Sequence, residues 1–242
     1  MKKLLALFSL AVLCLVGMSA QQFLAVIRND GTPMNFPISE LDSVFILPDR
    51  DYVDLGLPSG ILWATCNVGA DSPEEYGDYL AWGETTPKSE YLWSTYLYGS
   101  AANALTKYCT KTSYGLNGYT DGQLTLTASD DAAVVNWGGD WRMPTLEDIR
   151  ELNNNCSSFW TTLNGKAGRM FTGPNGNTLF LPAAGYYNGA LSDEGSVCGY
   201  WSSTLVDYRS DYAYLFYLTS SRVVPGGNFR HYGCSVRPVM NP

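Results

Sequence analysis

His231 is the only histidine in the 242 residues, and its solitude removes several chemistries at once. Multi-histidine metal sites, a His-Glu-x-x-His helix and any Ser-His-Asp relay built on another histidine are excluded. His231 itself lies between Arg230 and Tyr232 and reads as an exposed loop residue. Asp130-Asp131 and the acidic run at 71–75 lack the spacing of an oxygen cage for calcium, so they read as solvated loop charges or caps. Glycoside hydrolysis needs two carboxylates that meet only in space. Glu84, Glu147, Asp148 and Asp211 are its dispersed candidates, and nothing in the sequence pairs them. Aromatic faces need no special ionisation to bind a ligand. With 17 Tyr and 7 Trp, recognition by ring platforms is the chemistry this chain supports best, and neither a metal nor a cofactor is expected.

The elements that must position these groups are short. Hydrophobic residues make up 45% of the chain, ample for a core, while 24 Gly and only 16% charged residues favour strands and turns over long helices. The best-signalled element lies within 136–156, NWGGDWRMPTLEDIRELNNNC. Thr145 stands as an N-cap with Asp148 three residues on; Leu146, Ile149 and Leu152 form one stripe; Asn153 to Asn155 end the helix. Trp137 and Trp141 are expected to pack at its start.

Around it, 52–55 and 61–66 read as a hairpin about Pro58-Ser59-Gly60, 72–75 as a helical turn and 79–82 as a short strand. Residues 85–126 scatter Tyr91, Trp93, Tyr96, Tyr98, Tyr108, Tyr114 and Tyr119 through Ser, Thr, Asn and Gly. An irregular stretch of that length is a candidate binding surface. Further on come a turn at 175–177, a strand at 178–181, a loop at 185–189 and a strand at 212–218. Pro225-Gly226-Gly227-Asn228 reads as a turn before a last strand at 234–239.

Residues 1–20 have the order of a secretory signal: Lys2 and Lys3, an apolar run at 4–16, then small residues. Leu13 before Cys14 lacks the small side chain of a lipid-attachment site, which argues against a lipid anchor. No later stretch approaches the about 20 apolar residues of a membrane span. Residues 21–49 read as a small β module, with a turn at Asn29-Asp30-Gly31 and a third strand at 43–47; residues 50–242 form the main domain. The net charge of −8, more negative once the signal leaves, argues against nucleic acid and anionic membranes as partners. Export permits disulfides, but Cys66, Cys109, Cys156, Cys198 and Cys234 are an odd set, and a domain of this size folds without staples.

The block at 136–156 resembles one found in the Fibrobacter succinogenes major paralogous domain and the related DUF1566 domain of bacterial secreted proteins. It is also similar to the R-x-P-T-x-x-E block of the formylglycine-generating enzyme family. YVDLGLPSGILWATCNVGA, YGDYLAWGET, GYWSST and YGCSVRPV resemble the paralogous domain in the same order, so the likeness covers residues 52–239. The segment at 23–47 is similar to an N-terminal module of secreted Bacteroidetes proteins. The resemblance implies an α+β, C-type-lectin-like fold, with short helices on a twisted, mostly antiparallel sheet.

Formylglycine generation would need a close cysteine pair, whereas Cys198 and Cys234 are far apart. The Pro flanked by acidic and amide residues, and the downstream Trp-Asn-Asp strand, through which true C-type lectins hold calcium and sugar are also absent. Some exported proteins of this fold diversify exposed polar and aromatic residues near the C-terminus. By that likeness the ligand-binding set is Tyr186, Tyr187, Asn188, Asp207, Tyr208, Arg209, Asp211, Arg222, Asn228, Arg230, His231 and Tyr232. The expected function is non-catalytic binding or adhesion, to a glycan or a protein, by an exported module that is extracellular, at the cell surface or in the periplasm. A structural component of the envelope and a hydrolase with dispersed carboxylates are the alternatives.

Overall fold

The computed structural model describes residues 23–27, 33–37 and 50–242. The signal segment, the turn at Asn29-Asp30-Gly31 and the strand expected at 43–47 lie outside the described residues. The chain divides into two compact units, Met1–Leu47 and Pro48–Pro242. In the first, β1 (Phe23–Ile27) pairs antiparallel with β2 (Pro33–Pro37), Phe23 opposite Pro37 and Ile27 opposite Pro33.

The second unit is mixed α+β, its strands mostly antiparallel and distributed over several small sheets, with few helices. β3 (Tyr52–Asp54) and β4 (Leu62–Ala64) make the expected hairpin, closed where the Gly60 N–H donates to the Leu57 carbonyl at 2.9 Å. That sheet is completed by β14 (Val239–Met240), which lies between β4 and β5 (Trp141–Arg142) and ties the end of the chain to its middle.

Two helices follow from their caps. The Asp131 carboxylate accepts the Ala133 and Val134 N–H groups at 2.9 and 3.1 Å and starts α1 (Ala132–Trp137), an element with no expectation in the sequence. Both Asp130 and Asp131 are buried, which corrects the reading of them as solvated charges and leaves the capping role, held by Asp131. In α2 (Leu146–Asn155) the Thr145 Oγ1 accepts the Asp148 N–H at 3.2 Å, and the Asp148 carboxylate accepts the Thr145 N–H at 2.7 Å. Leu146, Ile149 and Leu152 are all buried, and Trp137 meets Trp141 edge-on at 5.2 Å, as expected.

β6 (Ser157–Leu163) and β7 (Lys166–Thr172) turn at Asn164-Gly165, both with positive φ, and β8 (Thr178–Pro182) pairs with β7. The loop expected at 185–189 is instead a small hairpin of β9 (Tyr186–Asn188) and β10 (Ala190–Ser192). The central sheet is β11 (Cys198–Leu205), β12 (Tyr212–Leu218) and β13 (Val223–Phe229). β13 runs straight through Pro225, Gly226 and Gly227, where a turn was expected. Antiparallel pairing with β12 along all seven residues of β13 overrides the local turn preference. The helical turn at 72–75 is a single hydrogen-bonded turn, the Glu75 N–H donating to the Ser72 carbonyl at 3.3 Å, and the strand at 79–82 reduces to one bridge, Leu80 to Cys234.

β11 is buried on both faces because the core lies on both sides of it. Trp201, Leu205, Ala213 and Leu215 face a cluster with Trp82, Trp137 and Val236. Cys198, Tyr200, Phe216 and Leu218 face another with Ile149 and Leu152 of α2 and Phe171 of β7. Strand alternation thus places neighbouring residues such as Tyr200 and Trp201 in separate cores.

Candidate ligand-binding surface

The end of β13 and the turn after it carry a run of aromatic rings. The Arg209 guanidinium lies 3.8 Å over the Tyr212 ring, and Tyr212 meets Phe229 at 4.5 Å. Phe229 meets His231 at 5.7 Å, and His231 meets Trp93 at 4.5 Å and Tyr232 at 4.8 Å. Tyr232 stacks on Tyr186 of β9, 5.7 Å apart and 5° from parallel. Tyr212, Phe229, Trp93, Tyr232 and Tyr186 are all half-buried, each keeping part of its ring in water. The Tyr232 N–H donates to the Phe229 carbonyl at 3.0 Å, folding the chain so that 229, 231 and 232 present their rings together. Behind them, Tyr187 packs on Tyr79 and Tyr91 at 4.9 and 5.3 Å. Gly233 makes this possible, since a Cβ there would sit 2.7 Å from the Tyr91 ring.

Not every expected residue belongs to this surface. Arg230 is fully buried, at 0% exposure, and is corrected from a ligand group to an internal tie. Its Nη1 donates to the Tyr108 and Ser210 carbonyls at 2.9 and 3.0 Å, its Nη2 to the Lys107 carbonyl at 3.0 Å and its Nε to the Tyr96 hydroxyl at 2.9 Å. The Trp82 ring lies 5.0 Å from the guanidinium. Asp211, 2% exposed, is likewise an internal anchor: it accepts from Arg209 Nη2 at 2.8 Å, and its carbonyl accepts the Arg230 N–H at 3.1 Å.

His231 lies in the turn after β13, as expected of a loop residue, but at 6% exposure it is buried there and not exposed. Burial among rings, with the Lys88 ammonium as a lesser cause, pushes its pKa down to about 4, and its Nδ1 has no hydrogen-bond partner. Tyr208 stands out at 68% exposure; Asp207, Asn188 and Arg222 are exposed and Asn228 is half-buried. The structure therefore brings Tyr186, Arg209, His231 and Tyr232 together with Trp93, from the stretch at 85–126 that was itself a candidate surface, and with Tyr212 and Phe229, which stood outside the expected set. Arg222 and Asn228 instead line a hollow of about 350 Å³ on the β12–β13 ladder, with Tyr212, Leu215, Tyr217 and Gly226.

The dispersed carboxylates all have structural partners. Glu84 is buried against the Lys88 ammonium at 2.7 Å and accepts the Leu97 N–H at 2.8 Å. Glu147 pairs with Arg150 at 2.5 Å, and Asp148 with Arg142 at 2.7 Å besides its cap. Among the described residues, no three His, Cys, Asp or Glu side chains are grouped to hold a metal, and no helix is long and apolar enough to cross a membrane.

Fold and surface together define a mixed α+β protein presenting half-exposed aromatic rings beside a polar hollow. No protein-family model, no curated protein and no solved structure matches this chain.

Proposed function

We propose that the chain is an exported, non-catalytic binding or adhesion module of C-type-lectin-like fold, related to the Fibrobacter succinogenes major paralogous domain, and that it holds a glycan or protein through its C-terminal aromatic surface. The observation that carries this reading is the unbroken run of rings from Tyr212 through Phe229, the buried His231 and Tyr232 to Tyr186, with Trp93 beside it; all but His231 are partly exposed. Five half-buried rings gathered at one surface, with His231 packed among them, leave apolar area in water that a ligand would cover. The employment of Glu84, Glu147, Asp148 and Asp211 in ion pairs and caps supports binding over hydrolysis.

Screening the chain against glycans and envelope proteins tests the reading. Trp93→Ala and Tyr232→Ala are each expected to weaken the ligand found by about tenfold or more, the scale of an aromatic anchor. A ligand bound equally well by both variants overturns the site, and glycan turnover abolished by one carboxylate change restores the hydrolase.

A further inference from the structure

Gly226 sits in the middle of β13, opposite Leu215, where neither conformation nor packing asks for glycine. Its φ is not positive, and a Cβ built there would meet only the Tyr217 Cβ, at an ordinary 3.7 Å. Glycine weakens a strand interior, and where it persists without internal cause a ligand approaching the backbone is a standard reason. What it leaves is the hollow of about 350 Å³, with Leu215 in its floor and the half-buried Tyr212 and Tyr217 in its lining. That volume lies at the small end of ligand sites and suits a single ring better than an extended chain.

The two ends of the hollow offer side-chain donors. Arg222, beyond the end of the ladder where Val223 faces Leu218, has an exposed guanidinium with no ion pair among the described residues. Asn228, at the other end opposite Ala213, uses its Oδ1 to accept the Phe229 N–H at 2.9 Å, so its Nδ2 remains to donate. Donors at both ends select an acceptor-rich ligand, and a guanidinium favours a carboxylate, which it can hold in two parallel bonds. Because the chain carries a net charge of −8, such an anion must be held by this local arrangement and not by the general field. A peptide fits less well. β13 is the edge strand, and Pro225 has no N–H to offer an added strand.

We propose that this hollow is a subsite for an acidic sugar, a uronic-acid unit of a glycan, with its ring lying over Gly226 beside Tyr217 and its carboxylate on Arg222. The proposal rests on the reading of the chain as a binding module and names the ligand class.

The test is calorimetric titration of the chain with trigalacturonic acid and with its methyl ester, which has the same rings and no charge. The acid is expected to bind at least tenfold tighter than the ester, and more weakly as salt is added. Arg222→Gln should bring the acid down to the level of the ester. Gly226→Val, for which the strand has room, should weaken the acid at least tenfold while the melting temperature holds or rises. Equal binding of acid and ester, or Gly226→Val binding as well as the parent, overturns the proposal. So does an oligoglutamate peptide that binds in place of the sugar and is lost with Arg222→Gln, since the occupant is then a peptide. If the chain binds another ligand that Trp93→Ala releases and Gly226→Val does not, the subsite alone is wrong. If no ligand responds to either set of variants, the binding reading falls with it.

Discussion

A neutral imidazole enclosed by Trp93, Phe229 and Tyr232 is the ring of this surface that titrates on the acid side, burial holding the Tyr186 and Tyr232 phenols above their ordinary value, and it ties that surface to pH. Its pKa is about 4 in the fold against an ordinary value of about 6.5, because the buried cation loses its water and has the Lys88 ammonium nearby. A depressed base works against the fold in acid. Above about pH 6.5 neither state is protonated and His231 costs nothing. Between that pH and about 4 the unfolded chain takes up a proton that the folded chain refuses, so stability declines as pH falls. His231→Phe, which keeps a ring and removes the proton, should abolish the part of this decline seen between pH 6.5 and 5, before most carboxylates titrate. Urea midpoints of parent and variant across that window check it, and parallel slopes would show that His231 is not the group responsible. Arg230, its neighbour in sequence, shows why residue type alone misled: an arginine in the run Asn228-Phe229-Arg230-His231 reads as a surface group, yet its five donors suit a cage of backbone carbonyls that only the folded chain brings together.

At the scale of elements, what could be read depended on whether the signal was local. α2 was legible because its cap, its apolar stripe and its stop all lie within a dozen residues. Removing the cap should therefore act locally: Thr145→Ala takes away the acceptor of the Asp148 N–H and is expected to cost about 1 kcal/mol. A urea midpoint unmoved by the change would mean that the Arg142–Asp148 pair, at 2.7 Å, suffices to fix the first turn. The β6–β7 hairpin also had a local signal, Asn164-Gly165, whose positive φ values suit a tight hairpin turn, and it went unread. β13 is the opposite case. Pro225, Gly226 and Gly227 have turn chemistry, and only pairing with β12, which no local pattern reports, makes them a strand. Gly226 and Gly227 also line the hollow, so the departure from local preference coincides with the proposed subsite.

For the whole molecule, the aromatic wealth was legible, but which rings the fold gathers was not. Trp93 comes from the irregular stretch at 85–126, Tyr186 from β9, Tyr212 from β12, Phe229 from the end of β13, and His231 and Tyr232 from the turn after it. Such neighbours are set by long-range packing on β11 and β12, not by spacing. The cysteines follow the same logic of depth. All five described cysteines are free, and Cys66, Cys109, Cys198 and Cys234 are buried while Cys156 is partly exposed. Burial raises the pKa of Cys66, Cys156, Cys198 and Cys234 and keeps thiolate, the reactive form, scarce. Two cores built on opposite faces of one sheet supply cohesion that small exported domains obtain from crosslinks. A reductant should therefore leave the melting temperature unchanged. A thiol reagent added to the native chain should mark Cys156 first, the other four following only as the chain unfolds, with at least five thiols titrating once it is denatured. A melting temperature lowered by reductant, or fewer than five thiols in denaturant, would show that crosslinks replace part of that packing.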